Sequence, residues 1–328
     1  MPGIAFCGLK HPHVFDLIKL AKDDPETVIT GAYEADPEYA VKAADRFGGR
    51  FYDSYEQLLE DPAVDIVAIG DAYGSRGEEA IRALEAGKHI LSDKPLCTRL
   101  EELERIRLLC AEKGLCVGCM LDLRYDPALR LAARRIACGE LGEIHAVNFT
   151  GQHPLNYGTR PGWYFGGESH GGTFNDLIIH GVDAVSFVTG LKRLKVHCAR
   201  QYNAFAAKEP DFRDCAQMIG EYENGSGLVA DVSYSAPGAS AYTLPSYWRF
   251  GFWGEKGMIE CALGSGTVLL AKADAPAVHL TAEKIPENCL TDLIRMIRGQ
   301  HTAFSQESLF LSTQTALMIQ AQADQYHA

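Results

Sequence analysis

The sequence lacks long apolar runs, basic clusters and any repeated pairing of cysteines. No segment approaches the roughly 20 consecutive apolar residues that cross a bilayer, so we expect no membrane-spanning helix and no membrane partner. Lysine and arginine form no run, and a formal net charge of -12 disfavours binding to nucleic acid phosphates. The first residues contain no basic segment followed by an apolar stretch, so we expect no signal peptide and a cytoplasmic location.

One pair of cysteines has a spacing that suggests chemistry. Cys116 and Cys119 form a C-x-x-C motif, which occurs in redox and zinc sites, but the sequence has no second such pair. The surrounding segment, residues 115–121, is apolar enough for a buried strand. We therefore predict that both thiols lie in the core and that the ten cysteines stay reduced.

Two domains are expected from the length and from a change in pattern near residue 122. A chain of 328 residues is too long for one ordinary core. Residues 1–122 alternate short apolar strands with amphipathic helices, which predicts an α/β fold with a doubly wound parallel sheet of the Rossmann type. Residues 123–328 contain long strand-like runs, two of them flanking Asn224-Gly225, which predicts a hairpin. We expect this half to be an α+β domain with a large, mostly antiparallel open sheet, ending in two helices from about Asn288 and Ser305.

The turn after the first strand keeps little of the dinucleotide-binding motif G-x-G-x-x-G. After Gly8, the second and third glycine positions hold Lys10 and His13, with His11 between them. Amides at the start of the following helix can still hold a pyrophosphate, with added charge from Lys10 or the histidines. An ordinary turn without a ligand is the alternative.

Two further residues follow strands of the predicted parallel sheet, where ligands of such sheets bind. Glu34 lies 26 residues after Gly8, and a carboxylate there accepts hydrogen bonds from ribose hydroxyls and repels a 2′-phosphate, which favours NAD over NADP. Lys94 follows the strand at 89–92 and can donate to a substrate oxygen, and Pro95 allows a cis bond before it. A surface glutamate and an ordinary exposed lysine are the alternatives.

Asp176 and His180 are four residues apart in an apolar helical segment. On a helix they share one face, with Asp183 continuing it, so they form a plausible proton-transfer pair. The alternative is a structural histidine whose ring is satisfied by a neighbouring acid. Gly171-Gly172 just before the helix favours a site, since it permits close approach of a ligand or another chain segment.

Histidines raise the question of a metal site. His153, His170 and His180 could join Asp176 around a zinc ion, but the spacings of His153 and His170 match no tight ligand pattern. We therefore predict no metal.

Three segments together resemble the Gfo/Idh/MocA oxidoreductases, a family that includes glucose–fructose oxidoreductase and inositol dehydrogenase. Residues 83–96 are similar to its EAGKHV…EKP segment, with Asp93 in place of the usual Glu. Residues 124–127 with 139–144 are similar to its domain-junction pattern. Residues 171–190 are similar to its GG…D-x-x-x-H-x-x-D…G helix.

The resemblance implies a dinucleotide-binding domain at 1–122 and a substrate-binding and oligomerisation domain at 123–328. It implies hydride transfer between NAD or NADP and a secondary alcohol or ketone of a sugar, inositol or related polyol. By matching position, Lys94, Asp176 and His180 are the catalytic residues and Glu34 is the ribose ligand. His180 would take the hydroxyl proton while Lys94 hydrogen-bonds the same oxygen. The family also implies a homodimer or homotetramer formed through the C-terminal sheet.

The chain departs from the family in three places. The glycine-rich turn is altered, the T-P-N-x-x-H loop becomes residues 71–76, and the Gly of D-x-G-x-H is Ile178. NADP stays open, because Arg76 or Lys10 could contact a phosphate. The expected cofactor contacts are Gly8, Lys10, His11, His13, Glu34, Asp71, Arg76, Ser92, Lys94, Pro95 and Asp122. The expected substrate contacts are Arg124, Tyr157, Arg160, Trp163, His170, Asp176 and His180.

Two other functions stay open. One is elimination or glycoside cleavage assisted by a tightly held NAD, without net release of reduced cofactor. The other is a non-enzymatic NAD-binding regulator, which the altered glycine turn would allow. The presence of Lys94, Asp176 and His180 favours an enzyme over a regulator.

Overall fold

The structure is a computed structural model that describes residues 1–238 and 248–325. The chain divides into two units. Unit 1 comprises Met1–Leu121, Glu168–Gly171 and Asn288–Thr313, and unit 2 comprises Asp122–Gly167, Gly172–Glu287 and Gln314–Ala328. The change after Leu121 lies next to the expected boundary at 122. Residues 168–171 and 288–313, which the sequence-based division assigned to the second domain, instead belong to unit 1.

Thirteen strands and ten α-helices are observed in the described residues. The strands are β1 Gly3–Cys7, β2 Val28–Tyr33, β3 Ile66–Ile69, β4 His89–Ser92, β5 Val117–Cys119, β6 Ile144–Pro154, β7 Leu194–Tyr202, β8 Cys215–Tyr222, β9 Gly227–Ala236, β10 Trp248–Gly254, β11 Gly257–Ala262, β12 Thr267–Lys272 and β13 Ala275–Thr281. The helices are α1 Val14–Asp23, α2 Pro37–Phe47, α3 Tyr55–Glu60, α4 Tyr73–Glu85, α5 Leu100–Lys113, α6 Pro127–Ala137, α7 Gly167–His170, α8 Ile179–Thr189, α9 Cys289–Ile297 and α10 Gln306–Asp324. None of the helices in the described ranges has the length and apolar character that a bilayer crossing requires.

Unit 1 is built on a five-stranded parallel sheet in the order β2-β1-β3-β4-β5. Every residue of β1 and β3 is buried, as expected for parallel strands covered by helices. This confirms the predicted Rossmann-type sheet. The strand order reverses direction between β1 and β3, and ligands of such sheets bind outside the carboxyl ends at that point.

The C-x-x-C pair lies at the last strand of this sheet. Cys119 is fully buried in β5 and Cys116 is half-buried just before it, and both thiols are free. The core position is therefore confirmed for Cys119. Burial raises the pKa of Cys116, which disfavours its reactive thiolate form.

Unit 2 contains an eight-stranded sheet in the order β13-β12-β11-β10-β6-β9-β8-β7. Only the β6–β9 pair is parallel among the strands of the described residues, so the predicted, mostly antiparallel open sheet is confirmed. The hairpin predicted at Asn224-Gly225 joins β8 to β9, and Gly225 takes a φ of +86° there.

One face of the large sheet is packed and the other is open. On the packed face, α8 approaches β6 so closely that a Cβ added to Gly181 would lie 2.1 Å from a ring carbon of Phe149. The open face exposes apolar side chains of Ile219, Val229 and Trp253. Ile219 and Val229 are directly paired across β8 and β9, so their exposed side chains are neighbours.

Candidate active site

The carboxyl ends of β1 and β3 meet at Gly8 and Asp71. Gly8 has a φ of +73°, and a Cβ added to it would lie 2.4 Å from the Cβ of Asp71. Only glycine fits this position, for both backbone and packing reasons. The first glycine of the altered motif therefore keeps a structural role at the point where the strand order reverses.

Glu34 lies directly beside this turn. Its carboxylate is 8% exposed and accepts the amide protons of Leu9 at 2.6 Å and Asp36 at 2.9 Å. Burial raises the pKa of Glu34. The Lys10 ammonium lies 2.8 Å from an oxygen of Asp71 and 4.0 Å from one of Glu34. Lys10 is therefore paired with two carboxylates.

A third acid, Glu79, lies near Lys10. Burial, followed by repulsion from Asp71, raises the pKa of Glu79 well above its usual value. Its Oε2 atom is buried without a hydrogen-bond partner among the described residues. Burial lowers the pKa of Lys10, but its hydrogen bond to Asp71 and the nearby carboxylates together outweigh this and raise that pKa overall, so Lys10 stays charged. Three carboxyl groups surround one cation at this place.

A second buried network lies at the end of β4. Asp93 is fully buried and lies 2.6 Å from His11 Nδ1 and 3.3 Å from His13 Nδ1. The guanidinium of Arg76 donates to Asp93 at 2.8 Å, to the carbonyl of Asp71 at 2.8 Å and to that of Lys94 at 2.5 Å. Burial acts to raise the pKa of Asp93, but Arg76, followed by the histidines, holds it well below its usual value.

Arg76 and Ser92 have no surface available for a ligand. Both side chains are 0% exposed, and Ser92 Oγ donates to the carbonyl of Asp93 at 2.6 Å. The expectation that they contact the cofactor directly is therefore corrected. Arg76 instead ties the ends of β3 and β4 together, because it binds groups that follow both strands.

Lys94 is buried in the same unit, and its peptide bond to Pro95 is cis, as the sequence allowed. Its ammonium lies 5.6 Å from the centre of the Tyr73 ring, and the His170 ring lies 5.4 Å from that ring. His170 reaches Tyr73 because Gly74 lets the chain at Glu168 approach: a Cβ on Gly74 would lie 2.3 Å from the carbonyl oxygen of Glu168. Sequence reasoning missed Tyr73, although it follows β3 much as Lys94 follows β4.

Asp176 is the centre of the polar cluster in unit 2. It is buried and accepts hydrogen bonds from the hydroxyls of Tyr164, at 3.0 Å, and Tyr234. Burial, followed by the charge of Asp176, raises the pKa of Tyr164, so this phenol stays a donor. Both tyrosines were missed from the sequence. Tyr164 directly follows Trp163, an expected substrate contact, and only that position pointed to it.

The helix around Asp176 begins with an unexpected π-helical turn at Phe174–Ile178, before α8. A π-turn has i→i+5 hydrogen bonds and so interrupts the regular α-helical spacing of side chains. The contacts of the two residues differ: Asp176 binds two tyrosines, whereas the half-buried His180 ring packs 5.4 Å from Trp248. π-turns inside helices are frequent at functional sites.

The junction residues have different surroundings. Arg124 is buried, and its guanidinium forms a two-point ion pair with Asp183, in which Nε lies 2.5 Å from Oδ2. The expected substrate contact of Arg124 is therefore corrected to a structural pair that ties the turn at Asp122–Tyr125 to α8. Asp122, at the start of that turn, is exposed.

The loop that follows β6 places other aromatic and basic side chains near Tyr164. The guanidinium of Arg160 lies 4.3 Å from the centre of its ring, and the Trp163 ring lies 5.5 Å away. Tyr157 is exposed and donates to Glu209 at 2.9 Å. Tyr157 and Tyr234 both line a cavity of about 300 Å³ in unit 2.

The structure brings together a different set of possible metal ligands from the one considered in the sequence. Ligand atoms of His11, His13 and Asp93 lie within 4.8 Å of one another. Arg76, however, already places a positive charge on Asp93 at 2.8 Å. A metal ion would have to compete with that guanidinium, so the contacts favour a hydrogen-bonded network here.

Comparison with known proteins agrees with this arrangement. Residues 3–120 match the family described as "Oxidoreductase family, NAD-binding Rossmann fold", and residues 129–260 match the "GFO/IDH/MocA C-terminal domain". The scyllo-inositol 2-dehydrogenase (NAD(+)) of Bacillus subtilis (strain 168) is 33% identical over 186 residues, which cover 56% of this chain and 52% of that relative. The match thus spans about half the length of this curated relative.

Solved structures share the fold over nearly the whole chain. One is a structure from Erwinia carotovora atroseptica that is described only as an oxidoreductase. It has a TM-score of 0.88 at 25% identity, and the match covers 98% of this chain and 99% of that one. An oxidoreductase from Agrobacterium radiobacter in complex with NAD+, L-tartaric acid and magnesium has a TM-score of 0.81 at 17% identity, covering 98% and 96%. With both domain families matched in order, the chain belongs to the Gfo/Idh/MocA family of oxidoreductases, and its N-terminal part is an NAD-binding Rossmann domain.

Proposed function

We propose that this protein is an NAD-dependent oxidoreductase that interconverts a secondary alcohol and a ketone on a sugar, inositol or related polyol. The observation that carries the proposal is the placement of Gly8, Glu34 and Lys94 after three strands of one NAD-binding sheet. A related inositol dehydrogenase supports the substrate class.

The carboxyl edge of the unit 1 sheet fits a dinucleotide. The Gly8 turn lets a ligand approach the backbone, and the Glu34 carboxylate has the chemistry to accept ribose hydroxyls. The side chains of Lys10 and His13 are 20% and 37% exposed and supply donors near the start of α1. Both positions keep their backbone amides, and these side chains add further donors where the family motif has glycine.

Lys94, Asp176 and His180 are the proposed catalytic residues. When bound, NAD supplies the hydride acceptor or, in its reduced form, the donor. Lys94 donates a hydrogen bond to the substrate oxygen and stabilises charge developing on it. His180 accepts the hydroxyl proton during oxidation. Asp176, oriented by Tyr164 and Tyr234, accepts a hydrogen bond from a second substrate hydroxyl.

NAD is favoured over NADP by the charge around the ribose position. Glu34 and Asp71 are set against the single cation Lys10, and Arg76 is buried away from any phosphate. An added 2′-phosphate would meet net negative charge there. We therefore assign the phosphate-discriminating role to Glu34 and its acidic neighbours.

Ligand-induced stabilisation tests the proposal before the substrate is known. NAD+ should raise the unfolding temperature more than NADP+ at equal concentration, since stabilisation follows the affinity for the folded state. NADH formation from NAD+ should then appear with at least one member of a panel of inositols, sugars and sugar acids. Stabilisation by neither nucleotide would contradict cofactor binding, and cofactor that co-purifies without NADH release would favour the elimination chemistry.

The open face of the unit 2 sheet is the proposed oligomer interface. It carries the exposed pair Ile219 and Val229 together with Trp253. Beside them lies a groove of about 490 Å³ that includes Asn148 and Glu260. An apolar patch on an open sheet suits the self-complementary contact of a homodimer or homotetramer. A cytoplasmic location is also proposed, because none of the ten cysteines, all within the described residues, forms a disulfide.

A further inference from the structure

Three buried side chains form a hydrogen-bonded chain beside Lys94. The carboxylate of Asp93 lies 2.6 Å from His11 Nδ1, and the hydroxyl of Tyr73 lies 3.1 Å from His11 Nε2. Asp93, His11 and Tyr73 are 0%, 3% and 1% exposed, so bulk water does not compete with either bond. The three residues come from the ends of β4, β1 and β3, and thus join three neighbouring strand ends of the sheet.

The direction of each hydrogen bond follows from Asp93. Arg76 donates to Asp93 and favours its ionised form, so Asp93 can only accept. His11 Nδ1 must then carry the proton of that bond. Burial lowers the pKa of His11 to about 3, so the ring holds a single proton at neutral pH and its Nε2 is an acceptor. Tyr73 is therefore the donor to His11.

The chain thereby fixes the orientation of the Tyr73 hydroxyl. A phenol has one proton, and here that proton points to His11, so toward any other neighbour the Tyr73 oxygen acts only as an acceptor. The Lys94 ammonium lies 5.6 Å from the centre of the same ring, within the range of a cation–π contact. Through this contact, the orientation of the Tyr73 ring bears on the position of the Lys94 ammonium.

We propose that Tyr73, held by His11 and Asp93, is a positioning residue for Lys94. Its ring supports the ammonium, and the hydrogen bond from its hydroxyl to His11 holds that ring in place. This role rests on the catalytic function proposed for Lys94. The hydrogen-bonded chain of Asp93, His11 and Tyr73 does not depend on that function. Tyr73 stands where the sequence departs from the family's T-P-N loop, and His11 lies between the two replaced glycine positions of the altered turn.

The first experiment tests the hydrogen-bonded chain of Asp93, His11 and Tyr73 without measuring enzyme activity. In full-length protein labelled with ¹⁵N-histidine, the His11 resonances are assigned by comparison with His11→Gln. We expect a neutral ring protonated on Nδ1 at neutral pH, unchanged in chemical form down to about pH 5, because burial keeps the pKa of His11 low. A ring protonated on Nε2, or an imidazolium at pH 7, would overturn the inference.

The second experiment measures the effect on Lys94. Tyr73→Phe keeps the ring and removes the hydroxyl, and kcat should fall by about tenfold, the scale of one hydrogen bond, with the affinity for NAD unchanged. His11→Gln in the Tyr73→Phe background should lower kcat little further, since both act through one hydroxyl. The matched control is Tyr55→Phe, which removes an equally buried hydroxyl that donates to the carbonyl of Glu79 at 2.7 Å.

The outcomes separate this inference from the proposed function. Equal turnover in Tyr73→Phe and Tyr55→Phe, with Lys94→Ala inactive, would overturn the positioning role while leaving the oxidoreductase function intact. Additive losses in the double variant would overturn the link through His11. If Lys94→Ala keeps full activity while the ¹⁵N spectra show the expected tautomer, the proposed function of Lys94 fails, and with it the positioning role.

Discussion

At the residue scale, the three carboxyl groups around Lys10 have their clearest consequence in the pH dependence of the stability that Glu79 contributes. Its folded-state pKa is raised well above 4.5, mainly by burial and then by Asp71, so the folded state binds this proton more tightly than the unfolded state does. The stabilisation from that proton is complete below the ordinary carboxyl pKa and is lost as pH rises through the raised value. Glu79 is thus a source of instability at neutral and alkaline pH.

Replacing this carboxyl by its neutral amide should remove the pH dependence. We expect Glu79→Gln to unfold at a higher denaturant concentration than the wild type at pH 8 and to lose that advantage near pH 5. The measurement is urea unfolding at several pH values. Glu78→Gln, at an exposed neighbouring position on the same helix, is the matched control. A difference between Glu79→Gln and wild type that does not grow with pH would contradict the assignment.

The limits of sequence reasoning are also visible at single residues. Glu34 and Lys94 were found because a residue after a parallel strand must lie at the carboxyl edge of the sheet. Arg124 and Arg76 were assigned to ligands because sequence position does not show that their charges are neutralised by Asp183 and Asp93. The partner of a buried charge is fixed by tertiary packing.

At the element scale, the periodicity of the sequence predicted the strands of unit 1 and the hairpin of unit 2 well. The π-helical turn at Phe174–Ile178 was not foreseen, because its apolar residues Phe174, Leu177 and Ile178 have the i, i+3, i+4 spacing of an ordinary α-helix. Gly190 ends α8 with a φ of +78°, as a glycine after a helix indicates. The placement of α9 in unit 1 depends on which core its apolar face joins, which local patterns do not encode.

The contact between α8 and β6 depends on one glycine. In Gly181→Ala the new methyl group would lie 2.1 Å from the Phe149 ring, so one of the two must move. Overpacking of this kind costs about 1–3 kcal/mol in the free energy of unfolding. Denaturant unfolding should show this loss. Gly162→Ala, where a Cβ has no neighbour within 4 Å, should change stability by less than about 0.5 kcal/mol, and equal effects of the two would argue against tight α8–β6 packing.

At the scale of the whole molecule, the open sheet face should govern self-association. The double variant Ile219→Glu/Val229→Glu places two charges on neighbouring exposed positions of β8 and β9 and should dissociate the oligomer. Sedimentation velocity gives the masses of wild type and variant. Val41→Glu, at a position 76% exposed on α2, should leave the assembly unchanged. A wild type that sediments as a monomer, or a double variant of unchanged mass, would contradict the proposed interface.

The central claim is that Lys94 and His180 act on the substrate hydroxyl during hydride transfer. Lys94 hydrogen-bonds its oxygen, and His180 accepts its proton. Its most direct test is the steady-state rate of NADH formation on the substrate identified from the polyol panel, for wild type, Lys94→Ala, His180→Ala and the double variant. We predict that each single change lowers kcat by at least about 10², the scale of a lost proton-transfer group, and that the double change costs less than the product of the two. Lys42→Ala, on the exposed face of α2, should keep full activity. Full activity in both Lys94→Ala and His180→Ala would contradict the account.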